Sequence, residues 1–454
     1  MMPWNRRYSL ASYLRSALWV APVLAVVVSM AVKRLSEVLA AWLVAGGVYD
    51  RRTGFWGIDE TEAHSLLERI FTLNLSCLVF AFGSMLVAIQ VASGQYTPRV
   101  IATTLLRDRV IRLIVGLFAF GMLWANRTLI ELGQMREVPQ LQVFLASIFG
   151  LASLVAFIVL IDYGARSLRP VSLVQRVGQQ GMAVIKQVYP ALLGQARTHR
   201  PQPTADADGL PDVPTRVIYH KGKSAIVLAL HLDGLAGAAQ RAGCVFEFAP
   251  QVGDFVGMDE PLFYVYGNAG AIIDDRVRGM VAFGAERTME QDPMFAFRIE
   301  VDIALKALSA AINDPTTAVL VIDQLQRMLG MVGKRALHDN KIRDGSGQPR
   351  LILRTPNWED YVHMCFREIR QCGAGSLQIE RRLRAMVQQL LATLPAQRHP
   401  ALHVERELLD LEVQREHMFK QDSALARIPD SQGLGGAAGA PGMRGHAPAA
   451  QTRH

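Results

Sequence analysis

The sequence is poor in charged residues, and it lacks the short motifs that mark common catalytic and nucleotide-binding sites. Only 19% of its 454 residues are charged, whereas average soluble domains carry about 25%, and the deficit lies in the first third of the chain. No P-loop, G-x-S-x-G, H-E-x-x-H or dinucleotide fingerprint is present. The shortage of charge predicts a membrane portion followed by a soluble portion, and the missing motifs give no support to the common enzyme classes.

The few cysteines lack the spacing of a metal or redox site. None of Cys77, Cys244, Cys365 and Cys372 belongs to a C-x-x-C pair, the spacing that zinc knuckles and thioredoxin-like motifs require. Free cysteine behaves as a small hydrophobic residue. We therefore expect all four to be core residues, and we predict no metal and no cofactor.

The formal net charge of +8 has two explanations. Basic domains often bind nucleic acid, but no basic stretch here is interleaved with aromatic residues or resembles a nucleic-acid-binding motif. Membrane proteins carry excess lysine and arginine on their cytoplasmic loops. We therefore expect the lipid bilayer, and not nucleic acid, to be the partner.

Four apolar runs are long enough to cross a bilayer, which takes about 20 apolar residues. They cover residues 14–32, 70–92, 110–130 and 138–161. The first run is too long for a signal peptide, and it is followed by Lys33 and Arg34 instead of a cleavage site. The pattern predicts a cytoplasmic N-terminus at residues 1–13 and a domain of four transmembrane helices at residues 14–162.

The middle of each run is free of Asp, Glu, His and Lys. Ion-coupled transporters retain such groups within the membrane for use, so their absence from these runs argues against an ion-coupled pump. Asn74 and Gln90 lie in the second run. We expect them to form hydrogen bonds between helices rather than to line a permeation pathway.

The basic residues around the runs predict the orientation. Arg6, Arg7 and Arg15 lie at the N-terminus. A basic loop that leads from the second run into the start of the third contains Arg99, Arg107, Arg109 and Arg112, and further basic residues follow the fourth run. Because lysine and arginine accumulate on cytoplasmic loops, we predict a multi-pass protein of the bacterial inner membrane with both termini in the cytoplasm.

The cytoplasmic part divides by its residue pattern into four segments. These are a juxtamembrane helix and linker at residues 163–215, a β-rich unit at 216–289, a helical unit at 290–421 and a disordered tail at 422–454. Turns and short strands in 250–262 resemble half of a barrel-sandwich hybrid fold, but the lysine that carrier domains need is missing. The predicted fold class is a membrane α-helical protein with a cytoplasmic α+β domain.

Two local patterns stand out in the helical unit. Arg298, Asp302 and Lys306 follow one another at intervals of four residues, a spacing that allows salt bridges along one helix face. Asp314 and Pro315 suit the N-cap and the first position of a new helix. Both patterns indicate structural roles for these acidic residues.

Four segments carry a resemblance to a known family. They are residues 95–99 with 106–109, Gly253-Asp254-Phe255-Val256 with Pro261-Leu262, residues 284–288 with 291–293, and residues 301–309 with 312–318. Over residues 15 to 395 the chain resembles the bacterial "predicted membrane protein" family, domain of unknown function 2254. It departs from the family pattern at Ala310-Ala311, where the family usually has proline. The resemblance implies the architecture described above and implies no activity.

A polar cluster spread over the last two motifs is the candidate functional site. Its members are Glu286, Arg287, Asp292, Asp302, Asn313 and Asp314. Carboxylates beside an arginine can bind a metal or a basic ligand, or perform acid–base chemistry. The alternative is structural, since these same residues suit helix caps and salt bridges.

The leading hypothesis is a non-enzymatic membrane protein. Its cytoplasmic domain would sense a ligand of unknown identity or gate an oligomeric assembly or pore. Four helices are few for a monomeric transporter, so a pore requires a homo-oligomer. A membrane-anchored enzyme that uses Asp292, Asp302 and Asp314 is the first alternative, and a passive envelope scaffold is the second.

Overall fold

The computed structural model describes residues 3–17, 19–46, 57–95, 108–134, 138–167, 169–194, 211–337 and 340–435. The described chain is mostly helical and includes a sheet-containing region. It divides into two compact units. The first unit comprises Met1–Gln180, Pro203–Phe295 and Asp339–Thr355, and the second comprises Gly181–Gln202, Ala296–His338 and Pro356–His454.

In the described part of the chain, six helices precede the sheets. They are α1 (Trp4–Ser16), α2 (Val20–Ala45), α3 (Glu60–Gln95), α4 (Arg109–Leu132), α5 (Gln140–Ser167) and α6 (Pro170–Val188). Among the described residues, three helices are long and apolar enough to cross a membrane, namely Glu60–Gln90 of α3, α4 and α5. They coincide with three of the four apolar runs. The run at 14–32 is instead divided between α1 and α2, and α2 continues past the charged residues Lys33, Arg34 and Glu37.

Helix α4 lies at the centre of this bundle and packs against α2, α3 and α5. Phe118 and Trp124 on α4 are buried. A Cβ added to Gly121 would lie 2.7 Å from Asn74 Oδ1, so the glycine permits the close approach of α3. The Asn74 amide donates to Ile70 O of its own helix at 2.8 Å. The prediction of an interhelical hydrogen bond from Asn74 is therefore wrong, because a carbonyl one turn back accepts the bond.

Two sheets follow. Their strands are β1 (Arg216–Tyr219), β2 (Ala225–Leu230), β3 (Cys244–Phe248), β4 (Phe255–Val256), β5 (Pro261–Gly267), β6 (Val281–Gly284), β7 (Lys341–Arg343) and β8 (Pro349–Leu353). The five-stranded sheet has the order β1-β5-β3-β8-β7 and the three-stranded sheet the order β4-β2-β6. Strands β4 and β5, which the sequence pattern grouped in one barrel-sandwich half, therefore lie in different sheets.

Strand β3 organises the five-stranded sheet. It pairs antiparallel with β5 and parallel with β8, and its alternate residues are buried, as expected of a strand with one face on a core. Helix α7 (Leu232–Ala242) leads into it and ends at Gly243, whose φ of 67° is left-handed. A second short helix, α8 (Asp274–Arg278), precedes β6. The sheet thus takes β7 and β8 from the segment that the sequence pattern assigned to the helical unit.

The N-terminal helix α1 packs against the three-stranded sheet. The Trp4 ring lies 5.2 Å from the ring of His231, centroid to centroid. Asn5 N donates to Gly279 O at 3.1 Å. Trp4 also packs against the buried Ala229 and Ala282. The beginning of the chain is therefore held against a sheet built from residues more than 200 positions further along the sequence.

The second unit is built from helices. They are α9 (Pro293–Ala307), α10 (Pro315–Gly333), α11 (Trp358–Cys372), α12 (Leu377–Thr393), α13 (His399–Glu416) and α14 (Lys420–Ala426). Helix α12 is buried over most of its length, charged residues included. Asp430 N donates to Arg381 O at 3.1 Å, and Arg381 Nε donates to Ile428 O at 3.0 Å.

Two expectations, one about the end of the chain and one about the cysteines, need correction. Residues 422–435 are ordered against α12, where the composition predicts disorder, because their backbone groups bond to arginines of that helix; residues 436–454 lie outside the described residues. Cys77, Cys244 and Cys365 are buried as expected, but Cys372 is exposed. It occupies the last position of α11 and is not among the buried residues of that helix.

Candidate functional site

Arg287 and Asp292 form an ion pair in the loop between β6 and α9. Asp292 precedes Pro293, and its carboxylate accepts the Phe295 backbone N–H at 3.0 Å, as an N-cap does. Arg287 Nε donates to the same carboxylate at 2.5 Å. The Asp292 side chain is only 4% exposed. The carboxylate therefore has two structural tasks, which are to cap α9 and to hold Arg287.

The Arg287 guanidinium lies over the turn that contains Gly253. Gly253 has φ of +96°, and a Cβ at this position would lie 2.5 Å from the guanidinium. The Gly253 N–H donates to Val227 O at 2.8 Å, which ties the turn to β2. Only glycine meets both the backbone and the space requirement here. Two sequence motifs, one around Gly253 and one around Arg287, therefore meet at this arginine.

A glutamine completes the connection to the sheet. Gln291 accepts the Leu230 N–H at 3.0 Å and donates to Leu230 O at 3.3 Å, so its amide substitutes for a neighbouring strand at the end of β2. Glu286 is exposed. Among the motif residues of this loop, Arg287, Gln291 and Asp292 thus have structural partners, and Glu286 faces solvent.

The electrostatics of Asp292 are set by burial. Burial raises the pKa of its carboxyl group, while the Arg287 hydrogen bond and charge and the Phe295 N–H act in the opposite direction. The nearby Asp254 charge adds to the rise. A buried carboxylate of this kind stabilises the fold only as long as its partners remain in place.

Asp302 belongs to a separate network in the second unit. Arg298 binds Glu368 through two hydrogen bonds of 2.6 and 2.9 Å, and its Nε donates to Asp302 at 2.6 Å. The hydrogen bonds from Arg298 hold the pKa of Glu368 below its usual value. The predicted salt bridge between Arg298 and Asp302 is confirmed. It forms part of a clamp between α9 and α11 that the sequence pattern did not indicate.

Asn313 and Asp314 form the turn between α9 and α10. Asn313 has φ of 49°, a conformation that asparagine tolerates better than most residues. Asp314 accepts the Thr317 N–H at 3.0 Å and the Thr317 hydroxyl at 2.5 Å. The predicted N-cap of α10 is confirmed, with Pro315 in the first turn.

The six candidate residues therefore fall in two different units, with Glu286, Arg287 and Asp292 in the first and Asp302, Asn313 and Asp314 in the second. Five of the six cap a helix, form a turn or take part in an ion pair. In the described part of the chain, no group of three or more His, Cys, Asp or Glu side chains is arranged to hold a metal.

A comparison with known proteins places the chain in a family. The model of the predicted membrane protein family DUF2254 matches residues 15–389. The chain belongs to this family. An uncharacterized protein of Mycobacterium bovis and one of Mycobacterium tuberculosis are each 27% identical over 435 residues, which is 93% of this chain and 81% of theirs. No solved structure of another protein matches the chain significantly.

The basic loop between α3 and α4 is partly described in the structure. Arg99 and Arg107 lie outside the described residues, whereas Arg109 is exposed and Arg112 is half-buried in the first turn of α4. The family motif in this loop also contains Asp108. This residue is the N-cap of α4 and accepts the Val110 N–H at 2.8 Å.

Asp108 is also the centre of a polar node that sequence reasoning missed. Arg176 on α6 donates to its carboxylate at 2.6 Å, and the Tyr163 hydroxyl on α5 donates to the same oxygen. Arg176 also donates to the Tyr163 hydroxyl at 3.2 Å and to Ser167 Oγ at 3.4 Å. The node joins the start of α4 to the end of α5 and to α6. An aspartate directly before an apolar run is an N-cap signal, but nothing local indicates its distant partners.

Buried carboxylates in the second unit were also missed. Glu405 on α13 is fully buried, and within the described residues neither of its carboxylate oxygens has a hydrogen-bond partner. Burial raises the pKa of this carboxyl group, and the charges of Arg370 and Arg367 oppose the rise. Glu412, two turns further along α13, is buried as well but is paired with Arg370 and Arg415.

Proposed function

We propose that the chain crosses the membrane four times and that both of its ends lie on the cytoplasmic side. The supporting observation is the contact between α1 and the three-stranded sheet, in which Asn5 bonds to Gly279 and Trp4 stacks on His231. Helix α1 precedes all the spans and the sheet follows all of them. Three crossings would separate the two by the bilayer, so the number of crossings is even.

Helix α2 is the element that supplies the fourth crossing. It exposes large apolar side chains over most of its length, including Val23, Val27 and Met30, which suits contact with lipid. Lys33 is buried and pairs with Glu131 at the end of α4. A charge within a membrane helix is tolerated when it is paired, so this ion pair supports α2 as a membrane helix despite its charges.

The basic residues support the cytoplasmic orientation. Arg6 and Arg7 lie on α1, and Arg169 and Arg176 lie after the end of α5. All of them belong to the side of the bundle that carries α1 and the sheets. The positive-inside rule assigns this side to the cytoplasm of a bacterial inner membrane.

We further propose that the protein is non-enzymatic and that its cytoplasmic part senses a ligand or gates an oligomeric assembly or pore. The candidate carboxylates Asp292, Asp302 and Asp314 already serve as caps and ion pairs. The Asp108 node fixes α6, the connection to the cytoplasmic part, to the ends of two spans. A displacement of α6 would therefore act directly on α4 and α5.

The assembly that such gating requires is a homo-oligomer formed through α13. Val404 and Leu411 are 48% and 54% exposed on one face of this helix, at a helical spacing. Antiparallel pairing of two copies about Leu411 places Glu407 of one copy opposite Arg415 of the other. It also places the exposed Leu411 side chains of the two copies against each other. The face is thus complementary to itself in charge and in apolar character.

Mass measurement in mild detergent tests this assembly. We expect an oligomer, spontaneous cross-linking of Leu411→Cys, and a shift to lower mass for Leu411→Glu. Phe255→Glu is the matched control, because Phe255 is equally apolar and is 67% exposed in the sheet region. A strictly monomeric wild-type protein, or a Leu411→Glu variant that assembles normally, would contradict the proposal.

A further inference from the structure

Two apolar grooves of similar size run along α4. One lies between α2 and α4, has a volume of about 500 Å³, and is lined by Leu24, Val28 and Phe120 among others. The other lies between α4 and α5, has a volume of about 570 Å³, and is lined by Leu151 and Val155 among others. Both are open at the surface of the bundle, where a membrane would supply acyl chains.

The two grooves differ in charge. Arg109 and Arg112 line one end of the α2/α4 groove, whereas the lining of the α4/α5 groove contains no charged residue. Arg109 is exposed, and within the described residues it has no ion-pair partner. Guanidinium groups bind phosphate through several parallel hydrogen bonds. The α2/α4 groove is therefore an apolar channel with a phosphate-binding group at its mouth.

The length of the groove suits one leaflet of the membrane. From Arg109 to Phe120 the helix rises roughly 16 Å at about 1.5 Å per residue, which is about half of the 30 Å hydrocarbon thickness of a bilayer. The arginines lie at the start of α4, on the side that carries the Asp108 node and α6. A lipid of the cytoplasmic leaflet would thus place its phosphate at the arginines and one acyl chain in the groove.

We propose that the α2/α4 groove is a binding site for an anionic phospholipid of the inner leaflet. Basic pockets between membrane helices on the cytoplasmic side are suited to such head groups. This inference rests on the proposed position of α2 in the membrane. The α4/α5 groove binds acyl chains without selecting a head group.

The test counts lipids bound to the delipidated full-length protein by native mass spectrometry. Phosphatidylglycerol and phosphatidylcholine with identical acyl chains are the probes. We expect the wild type to prefer phosphatidylglycerol, and Arg109→Gln/Arg112→Gln to lose this preference by about 25-fold, since each of the two basic residues near an anionic surface contributes about a factor of five. Arg109→Lys/Arg112→Lys retains a preference. Arg169→Gln, which removes an exposed charge elsewhere, leaves it unchanged.

Blocking the groove gives an independent readout. A Cβ at Gly116 would have ordinary contacts of 3.7 Å with Ala21, so the additional atoms of Gly116→Leu extend into the groove and exclude the acyl chain. We expect this variant to lose phosphatidylglycerol selectivity with both arginines present. Ala152→Leu, in the lining of the α4/α5 groove, is the matched control and keeps it.

Three outcomes would overturn the proposal. They are equal binding of the two lipids by the wild type, retained selectivity in both the double glutamine variant and Gly116→Leu, and full competition by glycerol phosphate without an acyl chain. Labelling of Glu60→Cys from outside the cell shows separately whether α2 crosses the membrane. If α2 crosses and selectivity is absent, the lipid site alone is wrong.

Discussion

Two buried glutamates on α13 have opposite environments, and the same substitution should have opposite effects at the two positions. Glu405 is 0% exposed and its carboxylate has no hydrogen-bond partner among the described residues. Glu412 is 5% exposed and accepts from Arg370 and Arg415. Methionine matches the length of glutamate without its polar atoms, so we compare Glu405→Met with Glu412→Met.

The free-energy changes follow from these contacts. An unsatisfied buried polar group costs about 1–3 kcal/mol, so Glu405→Met should stabilise the fold by a similar amount at pH 8. Removal of one member of a buried ion pair costs about 3–5 kcal/mol, so Glu412→Met should destabilise it. For a unit of the size of the second one, each kcal/mol of change in the free energy of unfolding shifts the melting temperature by about 2–4 °C.

The pH dependence gives a second check on Glu405. Burial raises the pKa of this carboxyl group above its ordinary value of 4.5. Because the pKa is raised in the folded state, folding favours the protonated carboxyl group, and this stability is fully present below pH 4.5. It is lost as the pH rises through the pKa of the folded state. The advantage of Glu405→Met over wild type should therefore be small at pH 4.5 and should grow towards pH 8.

Thermal melting of the full-length protein in mild detergent, followed by tryptophan fluorescence, measures all three effects. The ionisable groups that interact with Glu405, which are Arg367, Arg370 and the Cys365 thiol, are unchanged in both variants. Melting of Glu405→Met below wild type at pH 8 would show that the Glu405 carboxylate makes a stabilising interaction, contrary to this prediction. If the difference in melting temperature between Glu405→Met and wild type were the same at all pH values, the pKa of Glu405 would not be raised by burial.

Three further variants test individual contacts by the same melting assay. Gly253→Ala should lower stability by about 1–3 kcal/mol, because its φ is positive and its methyl group would meet the Arg287 guanidinium; Gly237→Ala, at a helical position, is the control. Asp314→Ala should cost about 1 kcal/mol through loss of the α10 cap, whereas Asp314→Asn should cost less. Glu368→Gln should lower the free energy of unfolding by about 0.5–1 kcal/mol at pH 7. Because Arg298 lowers the pKa of Glu368, the difference in stability between this variant and wild type should shrink as the pH falls below 4.5. Unchanged melting in any of the three would remove the contact concerned from the account.

Features that depend on neighbouring residues in the chain were predictable. Helices α4 and α5 follow from long apolar runs, and the start of α10 follows from Asp314 and Pro315. The salt bridge between Arg298 and Asp302 follows from their spacing of four residues. These signals are local, because they arise from the periodicity and end effects of a single helix.

Features that depend on distant parts of the chain were not predictable in this way. Strand β8 pairs with β3 more than 100 residues earlier, and Asp108 finds Tyr163 and Arg176 at separations of 55 and 68 residues. Glu405 occupies a helical position whose burial depends on the packing of α11 and α12 against α13. In each case the partner is selected by tertiary structure, and single-sequence patterns contain no record of it.

The candidate site shows the same division. The roles of Asp302 and Asp314 as an ion-pair member and a cap followed from the sequence. The position of the Arg287 guanidinium above Gly253 did not, although both residues lie in motifs that indicated the family. The resemblance identified which residues matter without indicating which of them are in contact.

The proposal that the chain crosses the membrane four times is tested by the accessibility of three single cysteines in a chain that carries Cys372→Ser. Ser9→Cys on α1 and Asp275→Cys on α8 are exposed positions beside the α1–sheet contact, and Glu60→Cys lies between α2 and α3. With a membrane-impermeant maleimide added to intact cells, four crossings predict labelling of Glu60→Cys alone, and labelling of all three after lysis. Protection of Glu60→Cys, or labelling of Ser9→Cys in intact cells, would contradict the account.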